Sequence, residues 1–311
     1  MTILTVLHRT TRRYANQVNF GEHRLMMRPR DSHDLRLIET RLSIWPSATV
    51  RWIHDVFGNS VALASFRGPG SELVVESRFR VQHYPLPEEA LTLGEFARRY
   101  PFSYDAGEIP DLGRTAERHY PDPSHQIDTW ARSFVAEATN HDTVAILAAM
   151  TRAIKQRFLY SPCDRMETQE PLVTLRTGSG NCRDYALFLM EAARGLGFAA
   201  RFVSGYLYDS NSGRDGEEAV VGAASAHAWV QIYLPGAGWV EFDPTNGLVG
   251  GRNLIRVAVT REAGQAVPLS GSFIGLTGDF LGMTVQVEVT AEPQEDLAGW
   301  DQPILSPATA R

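Results

Sequence analysis

Residues 225–243 read Ser225-Ala226-His227-Ala228-Trp229-Val230-Gln231-Ile232-Tyr233-Leu234-Pro235-Gly236-Ala237-Gly238-Trp239-Val240-Glu241-Phe242-Asp243. Two runs of strict alternation flank a Pro-Gly-Ala-Gly turn, which is the pattern of two strands joined as an antiparallel hairpin. Ala228, Val230, Ile232 and Leu234 share one face, which goes to the core; His227, Trp229, Gln231 and Tyr233 share the other. On the returning strand Trp239, Glu241 and Asp243 lie on a common face. A loop of three or five residues puts His227 and Asp243 on the same side of the sheet, and an even loop separates them.

The elements around this hairpin fix the fold class. A strand is expected at 202–208, and the segment before it is helical. Ile127, Trp130, Ala131, Phe134 and Val135 recur at helical spacing behind a candidate Ser124 cap. Asp142 caps a second helix whose apolar stripe is Val144, Leu147, Ala148, Ile154 and Phe158. Helices followed by strands indicate an α+β unit with an antiparallel sheet rather than an alternating doubly wound one. The first 85 or so residues read as strands at 5–14, 35–45, 50–57 and 73–81, with Gly58-Asn59 and Gly68-Pro69-Gly70 as turns. In the last of these, Leu73, Val75, Ser77, Phe79 and Val81 form the buried face. The expected division is a β domain at 1–86, a Pro- and Gly-rich connector at 87–123, the α+β core at 124–249 and a β extension at 250–311. Strands at 254–260 and 283–290 are expected to return to one of the two sheets and close an edge.

A chain of 311 residues with 43% hydrophobic content can bury a full core. No stretch approaches the ~20 apolar residues of a membrane span, and the N-terminus lacks the features of a secretory signal, so a cytoplasmic protein without membrane partners is expected. The net charge of −6 and the absence of a basic run argue against nucleic acid. The chain carries no phosphate-binding loop, no Gly-x-Ser-x-Gly elbow and no zinc-protease motif, and no cofactor or metal is implied. The acidic run at 209–218 has Arg214 and Val220 where a calcium loop needs Gly and Glu, and reads as a loop. The scattered His8, His23, His54 and His83 read as structural.

Two cysteines cannot build a disulfide framework. Cys163 reads as a structural or surface thiol. Cys182 differs, because Thr177-Gly178-Ser179-Gly180-Asn181-Cys182-Arg183-Asp184-Tyr185 is a glycine-rich turn running into a helix. Asn181 caps that helix, Asp184 stands three positions later as in a capping box, and Gly195 or Gly197 ends it. Cys182 then lies in the first helical turn, where unpaired amides and the helix dipole favour thiolate. With His227 and Asp243 on one side, the three make a Cys-His-Asp relay suited to acyl transfer on amides, with the Cys182 amide as an oxyanion donor. Spacing identifies no second donor. Arg183 reads as a solvated helix residue, and Trp229 and Trp239 as core aromatics rather than the walls of a substrate tunnel.

The blocks Gly180-Asn181-Cys182-Arg183-Asp184-Tyr185-Ala186, Arg201-Phe202-Val203-Ser204-Gly205-Tyr206, Ala226-His227-Ala228-Trp229 and Trp239-Val240-Glu241-Phe242-Asp243-Pro244-Thr245-Asn246 resemble the core of the bacterial transglutaminase-like superfamily. His8, Tyr14, Val18, His23 and Arg28-Pro29-Arg30 resemble the β domain that precedes this core in bacterial members. The resemblance implies a papain-like fold in which Cys182, His227 and Asp243 match the catalytic triad, acting on a peptide or protein amide. The superfamily holds crosslinkers, peptidases, amidases and inactive members. Arg183 replaces the aromatic residue that follows the nucleophile in animal-type crosslinkers, so hydrolysis is the expected reaction; glutamyl transfer to an amine and a non-catalytic scaffold are the alternatives.

Overall fold

A computed structural model describes residues 2–84, 88–162, 167–208 and 226–292. The chain begins with five strands, β1 (Thr2–Arg28), β2 (Leu35–Trp45), β3 (Ala48–His54), β4 (Ser60–Phe66) and β5 (Pro69–His83). After a connector with the one-turn helix α1 (Ile109–Leu112) come α2 (Gln126–Glu137), α3 (Thr143–Arg157), the two-residue β6 (Leu159–Tyr160), α4 (Pro171–Thr177), the two-residue β7 (Ser179–Gly180) and α5 (Cys182–Gly195). Strands β8 (Ala200–Leu207), β9 (Ala226–Leu234), β10 (Gly238–Asp243), β11 (Leu248–Val249), β12 (Leu254–Thr260), β13 (Leu269–Ile274) and β14 (Phe280–Ala291) complete it. This is the α+β arrangement expected from the sequence, with an antiparallel, curled first sheet and a papain-like core.

The first sheet runs β2-β5-β1-β4-β3, with β13 and β14 also paired to β1. One strand serves four partners because β1 is 27 residues long and changes neighbours along its length. Its buried side chains are even-numbered from Leu4 to Phe20, and beyond that the odd-numbered His23, Leu25 and Met27 are buried, with Met26 buried between the last two. The parity switches where the four residues Phe20 to His23 of β1 face three of β13, Phe273 to Gly271. Such a bulge turns the strand's inner face and lets the sheet curl around Tyr14, Val18, Phe20, Leu25, Leu73 and Val75. Strand β5 follows its sequence pattern, with Leu73, Val75, Ser77, Phe79 and Val81 all buried.

The second sheet is wholly antiparallel, in the order β11-β10-β9-β8-β12. Helix α5 packs on the face that carries Ala228, Val230 and Ile232, and with α2 and α3 it encloses the largest core. The opposite face is buried too, against the first sheet. Tyr206, Ile255 and Val257 join Leu4, Val6, Phe79 and Val81 in one cluster, and Trp229 packs with Val203, Leu207 and Leu254 near Phe57. Polar groups hold the same seam. His8 Nδ1 lies 2.7 Å from the Tyr206 hydroxyl and Nε2 lies 3.0 Å from Thr10 Oγ1. The Asn59 amide pairs with the Val259 backbone, donating to its carbonyl at 2.7 Å and accepting from its N–H at 2.9 Å, as a peptide of a neighbouring strand would.

The face of β9 bearing His227, Trp229 and Gln231 is buried as well, each at 1% exposure or less. Two sequence expectations change. Helix α2 is capped by Asp122, not Ser124. The Asp122 carboxylate accepts from the amides of Gln126, Ile127 and Asp128 at 2.9 to 3.1 Å, and the chain reaches the helix through His125 in the left-handed region, φ 51°. The strands beyond Gly250 divide between the sheets. β12 forms an edge of the second, and β13 and β14 lie along β1 in the first.

Candidate active site

Helix α5 opens with a full capping box. Asn181 Oδ1 accepts from Arg183 N at 2.9 Å and Asp184 N at 3.1 Å, while Asp184 Oδ2 accepts from Asn181 N at 2.9 Å. Gly180 makes room for this reciprocal pair, since a Cβ there would lie 2.8 Å from the Asp184 Cβ. The helix ends in a Schellman turn, Phe198 N to Ala193 O at 3.0 Å and Gly197 N to Arg194 O at 2.9 Å, with Gly197 at φ 90°. Cys182 occupies the first helical position and is 7% exposed, at the rim of the core.

The β9–β10 hairpin has a three-residue loop, Pro235 to Ala237, because Gly238 pairs with Leu234. The odd length places His227 and Asp243 on one side, with His227 Nε2 and Asp243 Oδ2 2.9 Å apart and both residues essentially sealed from solvent. The second carboxylate oxygen accepts from Thr245 N at 2.9 Å and Asn246 N at 3.4 Å, and Asn246 Nδ2 donates to Oδ2 at 2.8 Å. Asp243 is thus gripped on both oxygens, and the imidazole is fixed between it and the Trp229 ring, which stacks at 5.9 Å and 29°.

Burial alone lowers the His227 pKa, but the Asp243 charge and hydrogen bond, followed by Cys182, outweigh it and push the value up to about 10. Burial raises the Asp243 carboxyl, yet the imidazolium and the surrounding donors hold it below the usual carboxylate range. Nδ1 of His227 makes no hydrogen bond of ordinary geometry. Cys182 is also among the groups that raise the His227 pKa. The structure therefore joins His227 to Asp243 through Nε2 and leaves Nδ1 without a hydrogen-bond partner, with Cys182 electrostatically coupled to the ring. Among the described residues no cluster of His, Cys, Asp or Glu is built to hold a metal.

A fourth group, which the sequence did not reveal, is electrostatically coupled to Cys182. The Tyr160 pKa is raised by burial and then by the charge and hydrogen bonding of Cys182. Its position comes from the parallel β6–β7 ladder, with Leu159 N to Gly178 O at 2.7 Å and Ser161 N to Gly180 O at 2.8 Å, which locks Tyr160 beside the turn into α5. A ladder of two residues leaves no periodicity to read.

Arg183 corrects another expectation. It is 7% exposed, not solvated; Nη2 donates to the Ala263 carbonyl at 2.7 Å and the guanidinium lies 5.0 Å from the Phe202 ring centre. Trp229 is fully buried, its indole N–H donating to Glu241. Trp239 is half-buried beneath the Arg201 guanidinium, 4.0 Å from the ring centre. Cys163 and the loop at 209–218 lie outside the described residues.

Comparison with known proteins agrees with this architecture. Residues 4–82 match the bacterial transglutaminase-like N-terminal region, and residues 128–244 match the transglutaminase-like superfamily core. An uncharacterized protein of Mycobacterium leprae is 25% identical over 288 residues, covering 91% of this chain and 98% of its own. A protein-glutamine gamma-glutamyltransferase of Pseudomonas aeruginosa is 33% identical over 106 residues, 31% of this chain and 15% of that protein. Among solved structures, a candidate cysteine protease from Cytophaga hutchinsonii superposes with a TM-score of 0.66 at 17% identity, over 95% of this chain and 92% of that one. At that identity the likeness speaks for the fold.

Proposed function

We propose that this chain, which belongs to the transglutaminase-like superfamily, is a thiol-dependent acyl transferase acting on peptide or protein amides, with water as the acceptor. The observation that carries the reading is the buried imidazole bonded to Asp243 on Nε2, without a partner on Nδ1, and coupled in charge to Cys182.

In this mechanism the Cys182 sulfur attacks the amide carbonyl carbon, and the carbonyl electron pair moves onto oxygen. The Cys182 amide, unpaired at the helix start, and the Tyr160 hydroxyl are donors for that oxyanion. With its pKa pushed up to about 10, His227 is an imidazolium at neutral pH, which favours negative charge on the neighbouring sulfur and holds the proton the leaving amine needs. Collapse of the tetrahedral species breaks the C–N bond, the amine departs with the His227 proton, and a thioester remains on Cys182. Neutral His227 then takes a proton from water, whose oxygen attacks the thioester carbon; the acid product leaves and the imidazolium–thiolate pair is restored. Asp243 keeps the ring in register throughout and stabilises its charged form.

Hydrolysis is favoured over amine transfer because the residue after the nucleophile gives the substrate no aromatic wall: Arg183 is turned inward onto Phe202 and Ala263. The stretch shared with the Pseudomonas glutamyltransferase supports amine transfer as the second reading. Glutamine-containing and isopeptide substrates, incubated with and without a primary amine and followed by mass, separate the two. Cleavage indifferent to amine is expected; efficient amine incorporation with little hydrolysis would replace water by an amine as the acceptor.

A further inference from the structure

A cavity of about 420 Å³ lies on the seam between the two sheets, away from Cys182. Its floor is the face of β9 and β10 that carries Gln231, Glu241 and Trp239, and Tyr84 and Leu91 contribute to its walls. Gln231 is four residues along β9 from His227, or about 13 Å at the rise of an extended strand, so the cavity is separate from the thiol site. Its volume falls in the range of small-molecule pockets, roughly 300 to 1,000 Å³.

The charges in this cavity are unevenly satisfied. Glu241 accepts from the Trp229 indole, from Gln231 Nε2 at 2.7 Å and from Arg256 Nη1 at 2.8 Å, and Arg256 also donates to Asp34 at 3.1 Å. Both of these residues are committed. Arg201 is not. Its Nε donates to Gln231 Oε1 at 2.7 Å and its plane lies over the Trp239 ring, but neither terminal nitrogen makes a hydrogen bond among the described residues. The guanidinium is thus held by its stem and one face, with its two-pronged end left to the cavity. Burial, opposed by Glu241 and reinforced by the like charges of Arg256 and Arg30, lowers its pKa to about 9.

We propose that this cavity is a second ligand site, for a small organic carboxylate with an apolar or aromatic body, whose headgroup pairs in two-pronged fashion with Arg201 while the body lies against Trp239, Tyr84 and Leu91. A planar carboxylate matches the guanidinium fork. Three acids, Asp31, Asp34 and Glu241, and three arginines, Arg30, Arg201 and Arg256, line the cavity, so a monoanion fits this balance with less repulsion from the acids than a phosphate dianion. The site stands independently of the thiol chemistry proposed above.

Isothermal titration with phenylacetate and with inorganic phosphate tests it on the full chain. The wild type and Cys182→Ala are expected to bind phenylacetate alike at one site, which separates this site from the thiol. Arg201→Lys keeps the charge and loses the fork, and is expected to bind about tenfold more weakly or worse, with Arg201→Gln weaker still. Trp239→Leu leaves the Arg201–Gln231 bond in place and is expected to weaken binding as well, which keeps the test valid if Arg201 variants unfold. No saturable phenylacetate binding up to about 10 mM, equal binding by wild type and all three cavity variants, or tighter binding of phosphate than of phenylacetate would each overturn the proposal.

Discussion

Replacing Asp243 by Asn keeps the shape of the side chain and removes the property the site is built around. In the native structure Oδ1 accepts from two backbone amides, Thr245 and Asn246, and Oδ2 accepts from the Asn246 amide group and faces His227 Nε2. An asparagine has one oxygen for these two positions. If it keeps the backbone amides, its NH2 points at Asn246 Nδ2 and at the imidazole, so Nε2 must become the acceptor and the ring must carry its proton on Nδ1, the nitrogen without a partner in the native site. The imidazole is then neutral and in the wrong tautomer to take a proton from Cys182. Raising His227 from 6.5 to about 10 corresponds to about 5 kcal/mol of preference for the charged form. Its loss returns the ring towards 6.5, because burial is then opposed by Cys182 alone. Amide turnover, measured as kcat/KM, is expected to fall on the order of a thousandfold. The direct assay is nitrogen NMR of histidine-labelled protein: His227 stays doubly protonated to about pH 9 in the wild type and is neutral by about pH 7.5 in the variant. The sign of the stability change follows. A histidine raised in the folded state stabilises fully below its unfolded value of 6.5 and loses that contribution as pH rises through about 10, so the variant's deficit is greatest in mild acid and fades in strong base. A folded Asp243→Asn protein whose His227 titrates as in the wild type refutes the reasoning.

Three further outcomes are expected. Tyr160→Phe removes a hydroxyl coupled to Cys182, and should lower kcat roughly ten- to a hundredfold with little change in KM; an unchanged kcat removes Tyr160 from the oxyanion site. His8 is buried between Tyr206 and Thr10, and burial lowers its pKa to about 4, so the unfolded chain takes up a proton first as pH falls below 6.5. His83, buried and likewise lowered to about 4, acts in the same sense, so His8→Gln should reduce the stability lost between pH 7 and pH 5 in urea unfolding by about 2 kcal/mol without abolishing it, and equal losses in both proteins would assign the acid sensitivity elsewhere. Gly205 faces His227 across β8 and β9, and a Cβ there would lie 2.2 Å from the Ile255 carbonyl and 2.6 Å from the Trp229 ring. Gly205→Ala should therefore lower the thermal midpoint by several degrees or fail to fold, and a wild-type midpoint would show that β12 gives way without cost.

Much of this site was legible because its determinants are local. The Asn181–Asp184 box and the Gly197 turn are written within a few residues of the helix they delimit, and the alternation on either side of Pro235-Gly236-Ala237 left only the parity of the loop open. What escaped depends on contacts distant in sequence. Nothing around His227 or Trp229 announces that a second sheet covers them, and the inward turn of Arg183 depends on Ala263 and Phe202. Strand β13 was missed because Leu269–Ile274 has only one fully buried side chain and is held by backbone pairing to β1. The Asp122 cap was missed because a left-handed His125 lies between the cap and its helix, which shifts the capping residue out of the position where an N-cap is sought.

The central claim is that the amide's acyl group passes through the Cys182 sulfur. Acid-quenched reactions with an activated amide substrate, analysed by intact mass and then by peptide mapping, test it most directly. An adduct of the acyl mass on the peptide containing Cys182, absent from Cys182→Ala and slow to form in His227→Ala, is the predicted result. Amide turnover that persists in Cys182→Ala, or turnover by the wild type with the acyl group on any other residue, would contradict it.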